Sequence, residues 1–349
     1  MKICDNCFQD REIKSFIQAN STEEGVCECC STQGRLIELS DLLDYFIAFL
    51  SVFKYDPENG VAIEQLIQDD WSIFVSNEVC EKILYDSFIK VQIALTLDIV
   101  ESALSGGVEV KVSYIDEIDE SVSYWGRLKD QLKWEKRYLT DIDELIEVGW
   151  DLLFNDFYIL DSSTKLYRAR LNEKNQDNPY NQDLMFSPPR EETTSGRANP
   201  YGIPYLYLSK DYITTLYEIR ATYLDNISVG EFKIKEDVEL RIIDFTNSQS
   251  TFNHIDDMQR FITDQLLRRK ISIDLSKPLR RFDSELEYIP TQFICEYLKY
   301  NANVDGIQFN SSLRKDGLNI VLFSQHNIIC TDVELHQITN IEIGSDKLI

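Results

Sequence analysis

Apolar side chains recur every three or four positions along much of the first half of the chain. The clearest run comprises Leu39, Leu42, Leu43, Phe46, Ile47 and Leu50. This spacing places the apolar side chains on one side of an α-helix. Acidic runs such as residues 116–120 separate the apolar segments and are typical of solvated helix faces. The pattern predicts a helical bundle over residues 38–160.

The second half of the chain has a different pattern. Residues 166–171, 229–234, 240–245, 306–309 and 319–323 are short strand candidates, and helical spacing returns near 258–267 and 288–300. Strands mixed with helices at uneven intervals predict an α+β domain with a twisted, mainly antiparallel sheet. In the first of these strands, Arg168 and Arg170 would share one face and Tyr167 would lie on the other. Residues 172–199 carry little periodicity and are predicted to form a long, mobile loop.

The segment from Gly196 to Glu218 combines several local signals. A loop rich in glycine and proline leads into the apolar alternation of residues 205–208, which predicts a strand. Ser209 is a candidate N-cap for a helix over residues 210–220. Glu218 would then share a helix face with Thr214 and Thr215. A loop, a strand and a capped helix in this order can direct polar side chains into a cleft.

Cysteines are concentrated at the start of the chain. Cys4 and Cys7 form one C-x-x-C pair, and Cys27 and Cys30 form a second. Two such pairs are typical of a structural zinc site with four thiolate ligands and no open position for catalysis. Cys29 lies inside the second pair and could replace a neighbour as ligand. Reduced surface thiols or a redox dithiol are the alternatives. Residues 1–37 are therefore predicted to form a zinc-knuckle segment.

Composition limits the function. The chain has 349 residues, three histidines and a formal net charge of −25. The few histidines argue against a histidine-rich metal enzyme, and the negative field argues against nucleic acid as a partner. The apolar runs at residues 42–53 and 91–100 contain an aspartate and are too short to span a bilayer. No secretory signal follows Met1, so a cytoplasmic location and no membrane association are expected.

Six motifs in order resemble the RES domain, a family named after an Arg, a Glu and a Ser. They are Y-R-A-R (167–170), G-R-A-N-P-Y-G-I-P-Y-L-Y-L-S (196–209), Y-E (217–218), Y-I-P-T-Q-F-I-C-E (288–296), V-D-G-I-Q-F-N-S-S (304–312) and G-L-N-I-V-L-F (317–323). The resemblance assigns residues 161–349 to a RES domain. More weakly, residues 38–160 resemble the helical HEPN-type domains that are fused to RES domains.

The resemblance implies a fold similar to ADP-ribosyltransferases and consumption of NAD⁺. Members of the family act as toxins of toxin–antitoxin pairs by phosphorolysis, hydrolysis or ADP-ribosyl transfer. The family Arg falls on Arg168, the Glu on Glu218, and the Ser on Ser311 or, in the other register, Ser312. Tyr207 matches an aromatic position of the family. An Xre-like antitoxin would be the expected protein partner, although the long first half departs from the compact toxins.

The residue types suit this chemistry. A strand-borne Arg168 can bind the NAD⁺ pyrophosphate, with Arg197 and Arg170 sharing that role. The carboxylate of Glu218 can stabilise the positive charge that develops on the ribose as nicotinamide leaves. Tyr207 can stack on nicotinamide, and a serine hydroxyl can bond to a phosphate or the carboxamide. The acceptor stays open, since phosphate, water or a protein side chain would all fit.

Two other functions are weighed against the NAD⁺-consuming enzyme. The first is a HEPN ribonuclease, but its Arg and His motif cannot occur in residues 1–253, which contain no His. The second is a non-catalytic interaction module, in which Arg168 and Glu218 would be ordinary surface residues and Tyr207 ordinary core. The ordered RES motifs favour the enzyme.

Overall fold

A computed structural model describes residues 1–90, 110–147, 149–150, 154, 157–174, 176–246, 249–277 and 285–341. The apolar run at residues 91–100 lies outside this set. The chain divides into two compact units. The first contains residues 1–124 and 248–266, and the second contains residues 125–247 and 267–349. The division into segments 1–37, 38–160 and 161–349 stays a prediction.

The helices are distributed along the whole chain. In chain order they are α1 (Arg11–Asn20), α2 (Leu43–Leu50), α3 (Ile63–Trp71), α4 (Asn77–Lys90), α5 (Asp116–Trp134), α6 (Ile142–Glu147), α7 (Tyr212–Glu218), α8 (Met258–Ser276) and α9 (Ile289–Asn301). Short 3₁₀ helices lie at Asp5–Cys7, Leu39–Leu42, Gln182–Met185, Arg190–Glu192, Thr251–Asp257 and Glu285–Tyr288. Among the described residues, no helix has both the length and the apolar character needed to cross a membrane.

The strands of the first unit are short. They are β1 (Lys2–Cys4), β2 (Glu23–Val26), β3 (Gln33–Glu38), β4 (Phe53–Tyr55), β5 (Val61–Ala62) and β6 (Lys111–Tyr114). They form two antiparallel three-stranded sheets, in the orders β1-β3-β2 and β4-β6-β5. The predicted helical bundle over residues 38–160 was therefore wrong in part. Strands β4, β5 and β6 fall within this range and have only two to four residues each, so their pattern is hard to separate from the helical spacing around them.

The core of the first unit is aromatic. Phe8, Phe46, Phe49 and Phe74 are fully buried, and the Phe46 and Phe74 rings are stacked with centroids 6.2 Å apart. Helix α1 begins at an N-cap, Asp10, whose carboxylate accepts hydrogen bonds from the backbone of two residues of the first helical turn. Ile13 and Ile17 of α1 are buried in the same core, so the capped helix packs against it.

The second unit is built on one eight-stranded sheet. Its strands are β7 (Tyr158–Leu160), β8 (Lys165–Leu171), β9 (Leu206–Ser209), β10 (Asn226–Ile234), β11 (Leu240–Asp244), β12 (Gly306–Asn310), β13 (Leu318–Leu322) and β14 (Ile328–Gln337). The spatial order is β14-β10-β8-β9-β13-β12-β11-β7. Only the β11–β12 pair among these strands is parallel. The predicted α+β class with a mainly antiparallel sheet is confirmed.

Two local predictions in the second unit need correction. Ser209 is the last residue of β9 and not an N-cap, because it pairs with Asn319 in the sheet. Asp211 caps α7 instead, accepting a hydrogen bond from the Thr214 backbone N–H at 3.0 Å. The polar stretch 172–199 contains two 3₁₀ helices, and its Met185 is fully buried against the sheet. One buried apolar side chain therefore anchors a segment that was predicted to be a long, mobile loop.

Candidate functional site

A cavity of about 380 Å³ lies in the second unit, next to strands β8, β9 and β13 and helix α7. Its volume is within the range of small-molecule sites. The lining side chains include three arginines, one carboxylate and several aromatic rings. The polar and aromatic ones are Tyr167, Arg168, Arg197, Tyr207, Ser209, Thr215, Glu218, Arg220, Tyr288, Phe309 and Asn319.

Strand β8 supplies Arg168 to this cavity. Its Nη1 atom donates a hydrogen bond to the backbone carbonyl of Tyr207, at 3.1 Å. Its Nε atom is buried and has no hydrogen-bond partner among the described residues. Burial, and then the neighbouring Arg170, lower the pKa of Arg168 to about 10, so the guanidinium stays charged at neutral pH. A buried donor without a partner is costly, and an anionic ligand would satisfy it.

Glu218 is the last residue of helix α7 and is half-buried at the cavity. Its Oε1 atom accepts two hydrogen bonds, one from Ser311 Oγ and one from Asn319 Nδ2, each 2.7 Å long. Within the described part of the chain, Oε2 accepts none. One carboxylate oxygen is thus held by the protein, while the other can meet a ligand.

Tyr207 lies on β9, and its ring lines the cavity. The phenol oxygen donates to Asn199 Oδ1 at 2.8 Å and accepts from the Ala198 backbone N–H at 3.0 Å. Burial raises the pKa of this phenol above its ordinary value. The hydroxyl therefore fixes the loop that precedes β9, and the ring face is the part left for a ligand.

The two further arginines named from the sequence differ in position. Arg197 lines the cavity, but its Nη1 atom donates to the carbonyls of Leu275 and Ser276 at the end of α8, at 3.2 and 3.4 Å. Arg170 does not line it. The Arg170 guanidinium donates to the Leu184 carbonyl and lies 4.9 Å from the centroid of the Tyr180 ring. Both guanidinium groups thus already donate to backbone carbonyls of the protein.

The sequence-predicted site residues are thus only partly brought together. Arg168, Arg197, Tyr207 and Glu218 line one cavity, and Ser311 reaches it through its hydrogen bond to Glu218. Ser312 is exposed. Sequence reasoning missed Asn319 and Ser209, which also line the cavity. The signal was a polar residue inside an apolar strand, Asn319 in L-N-I-V-L, and a serine ending the Y-L-Y-L alternation.

A separate cluster lies in the first unit. The Sγ atoms of Cys4, Cys7, Cys27 and Cys30 are all within 4.8 Å of one another, and the Cys4–Cys30 and Cys7–Cys27 pairs are 3.5 Å apart. Four thiolates bound to one Zn²⁺ at about 2.3 Å would be about 3.8 Å apart, close to this arrangement. Cys29 is not part of the cluster, and its Sγ is directed towards the Val79 carbonyl at 4.0 Å. The four thiols could hold a metal ion.

The second unit is therefore an α+β domain in which arginines and one carboxylate line a cavity of ligand size. Residues 165–338 match the family described as the RES domain. This match spans about half of the chain and supports its assignment to the RES family. It does not extend to the first half, whose HEPN resemblance stays a prediction. No curated protein and no solved structure matches the chain.

Proposed function

We propose that the second unit binds NAD⁺ and cleaves its nicotinamide–ribose bond by phosphorolysis or hydrolysis. The observation that carries the proposal is that Arg168 and Glu218 line the same cavity of about 380 Å³, within the part of the chain that matches the RES domain. The arginine suits the pyrophosphate of NAD⁺, and the carboxylate suits the ribose. The RES match favours an NAD⁺-related substrate over other nucleotides.

In this proposal, the bond between ribose C1′ and the nicotinamide nitrogen breaks, and its electron pair leaves with nicotinamide. Positive charge then develops on the ribose, and the free Oε2 atom of Glu218 stabilises it. An oxygen of phosphate or water forms the new bond to C1′, and a water that adds in this way loses a proton to the solvent. Arg168, a lining residue whose Nε atom has no partner among the described residues, binds the pyrophosphate with its guanidinium.

In this proposal, the nicotinamide ring stacks on Tyr207. The hydroxyl of Tyr207 is held by Asn199 and Ala198, so the ring orientation is fixed before a ligand arrives. A preorganised aromatic face loses little entropy when a planar ring stacks on it. Tyr207 is therefore assigned to nicotinamide stacking, and Arg197 to the rim of the pyrophosphate site.

The experiment is an assay of nicotinamide release from NAD⁺ by the purified full-length chain, with and without phosphate. Phosphorolysis yields ADP-ribose phosphorylated at this C1′ position and hydrolysis yields ADP-ribose, so product analysis identifies the acceptor. Transfer of a label from NAD⁺ to protein, in place of a free sugar product, would indicate ADP-ribosyl transfer. Glu236→Gln, a change at an exposed carboxylate outside the cavity, is the matched control for Glu218→Gln. Absence of nicotinamide release with either acceptor would refute the proposed function.

RES-type NAD⁺ consumption suits a bacterial toxin or defence effector acting in the cytoplasm, with an Xre-like antitoxin as partner. Expression of the wild-type chain should lower cellular NAD⁺, whereas Glu218→Gln should not. An unchanged NAD⁺ pool in cells that contain the folded wild-type chain would count against this cellular role.

The cysteine cluster of the first unit would bind structural Zn²⁺, because its four thiols and their spacing match a closed tetrahedral site.

A further inference from the structure

The hydroxyl of Ser311 has no capacity left for a ligand. A serine hydroxyl has one proton to donate and two lone pairs that accept. Ser311 Oγ donates its proton to Glu218 Oε1 at 2.7 Å. The same oxygen accepts from the backbone N–H groups of Leu313 and Arg314, each at 3.2 Å. All three positions are used inside the protein, so a role in binding phosphate or carboxamide would require breaking one of them.

The orientation of Asn319 is fixed in the same way. Its Nδ2 atom donates to Glu218 Oε1 at 2.7 Å, and its Oδ1 atom accepts from Ser209 Oγ at 2.7 Å. An ionised carboxylate can only accept, so the amide nitrogen has to face Glu218. Asn319 and Ser209 are paired across β13 and β9, and they are only 6% and 2% exposed. This buried pair therefore presents one N–H group to the carboxylate.

The segment that carries Ser311 is attached to the helix that carries Glu218. Arg314 forms an ion pair with Asp211, the N-cap of α7, and donates to Thr214 Oγ1 at 2.7 Å. Gly317 lies so close to this helix that a Cβ atom there would be 2.8 Å from Thr214 Oγ1. The loop 311–317 is thus held against the first turn of α7, and Ser311 contacts the last residue of the same helix.

We propose that Ser311 and Asn319 form a carboxylate cradle that positions Glu218 and does not touch the substrate. Both donors bind Oε1, which leaves Oε2 available to a ligand in the cavity that Glu218 lines, and Ser209 fixes Asn319 in turn. Ser311, Asn319 and Ser209 are positioning residues that act through Glu218. The catalytic part of this inference rests on the proposed function, whereas the cradle itself is a property of the folded protein.

The first test adds a negative charge beside Glu218 and measures stability, so it does not depend on enzymatic activity. Asn319→Asp keeps the side-chain shape but places a second carboxylate against Glu218, and like charges repel. We expect it to lower the thermal unfolding midpoint by several degrees. In a Glu218→Gln background the same change should have little effect, because the amide introduced at position 218 can donate to the new carboxylate. Asn327→Asp, at an exposed turn residue, is the matched control. If Asn319→Asp lowered the unfolding midpoint equally in the wild-type and Glu218→Gln backgrounds, or lowered it in neither, the carboxylate cradle would be refuted.

The second test measures nicotinamide release. If Ser311 acts through Glu218, Ser311→Ala should lower kcat about 10-fold to 100-fold with little change in KM. The same change should cost nothing more when it is added to Glu218→Gln. A full additional loss in the double variant would show that Ser311 acts on the substrate directly. An inactive wild-type chain would refute the proposed function alone, since the unfolding measurements decide the cradle.

Discussion

The phenol of Tyr207 donates a 2.8 Å hydrogen bond to Asn199 Oδ1 and accepts one from the backbone N–H of Ala198. Ala198 and Asn199 are buried, so water cannot replace these bonds readily. We expect Tyr207→Phe to lower the free energy of unfolding by roughly 1–3 kcal/mol, the cost of leaving buried polar groups unpaired. Urea denaturation of the purified chain measures this difference.

Tyr201→Phe is the control for this change, since Tyr201 is 73% exposed. Removing its hydroxyl should leave the stability unchanged. If Tyr207→Phe were as stable as the wild type, the hydroxyl would not fix the loop. The aromatic ring that lines the cavity is retained in Tyr207→Phe, so the affinity for NAD⁺ should fall less than in Tyr207→Ala.

The two charged residues of the cavity should affect different kinetic constants. Arg168 would bind charge that is already present in the free substrate, so Arg168→Ala should mainly raise KM for NAD⁺. Glu218 would face charge that develops only in the transition state, so Glu218→Gln should lower kcat about 10²-fold to 10³-fold. Steady-state nicotinamide release at varied NAD⁺ separates the two effects. Unchanged kcat in Glu218→Gln would remove Glu218 from the catalytic role.

The cysteine cluster predicts one zinc ion per chain. Four thiols within 4.8 Å of one another form a closed site, so Cys7→Ser should lower the zinc content and destabilise the first unit. Elemental analysis of protein prepared without chelator measures the metal. Cys330→Ser, at a cysteine of β14 outside the cluster, should keep the full zinc content. Protein that is folded but contains no zinc would contradict the prediction.

Stability should depend on the charge of Asp211 at low pH. Partial burial alone would raise the pKa of Asp211, but hydrogen bonds from Thr214 and the charge of Arg314 hold it below the ordinary 3.8. A carboxyl with a lowered pKa stabilises the folded state above its ordinary pKa, and this contribution is lost as the pH falls through the folded-state value. The wild type should therefore exceed Asp211→Asn in stability at pH 5 to 7, and this advantage should shrink below about pH 4.

Denaturation of both proteins between pH 3 and 7 tests this dependence. Asparagine also caps helices, so Asp211→Asn removes the charge and keeps the cap. A stability difference that stays constant over the whole range would assign the Asp211 contribution to capping alone. Such a constant difference would also show that the ion pair between Asp211 and Arg314 does not anchor the loop 311–317.

The sequence by itself determined the α+β class of the second unit and named four residues that line its cavity. Short apolar runs predicted β8, β10, β11, β12 and β13, and apolar alternation predicted β9, because strand side chains pack against the core. The spacing of Cys4, Cys7, Cys27 and Cys30 predicted a cluster that the fold then assembled, since each pair needs only a local turn. Such features depend on neighbours in the chain.

Only the tertiary structure decided which side chains meet. Ser311 and Asn319 are about 100 positions from Glu218 in the chain, and their contacts follow from the β9–β13 pairing and the position of α7. The sequence likewise could not separate Arg168 from Arg170. Within the described ranges of the chain, Arg168 has a buried donor without a partner, whereas Arg170 is bound to the Leu184 carbonyl. Periodicity assigns a residue to a face of a strand, whereas hydrogen bonding depends on residues brought close by folding.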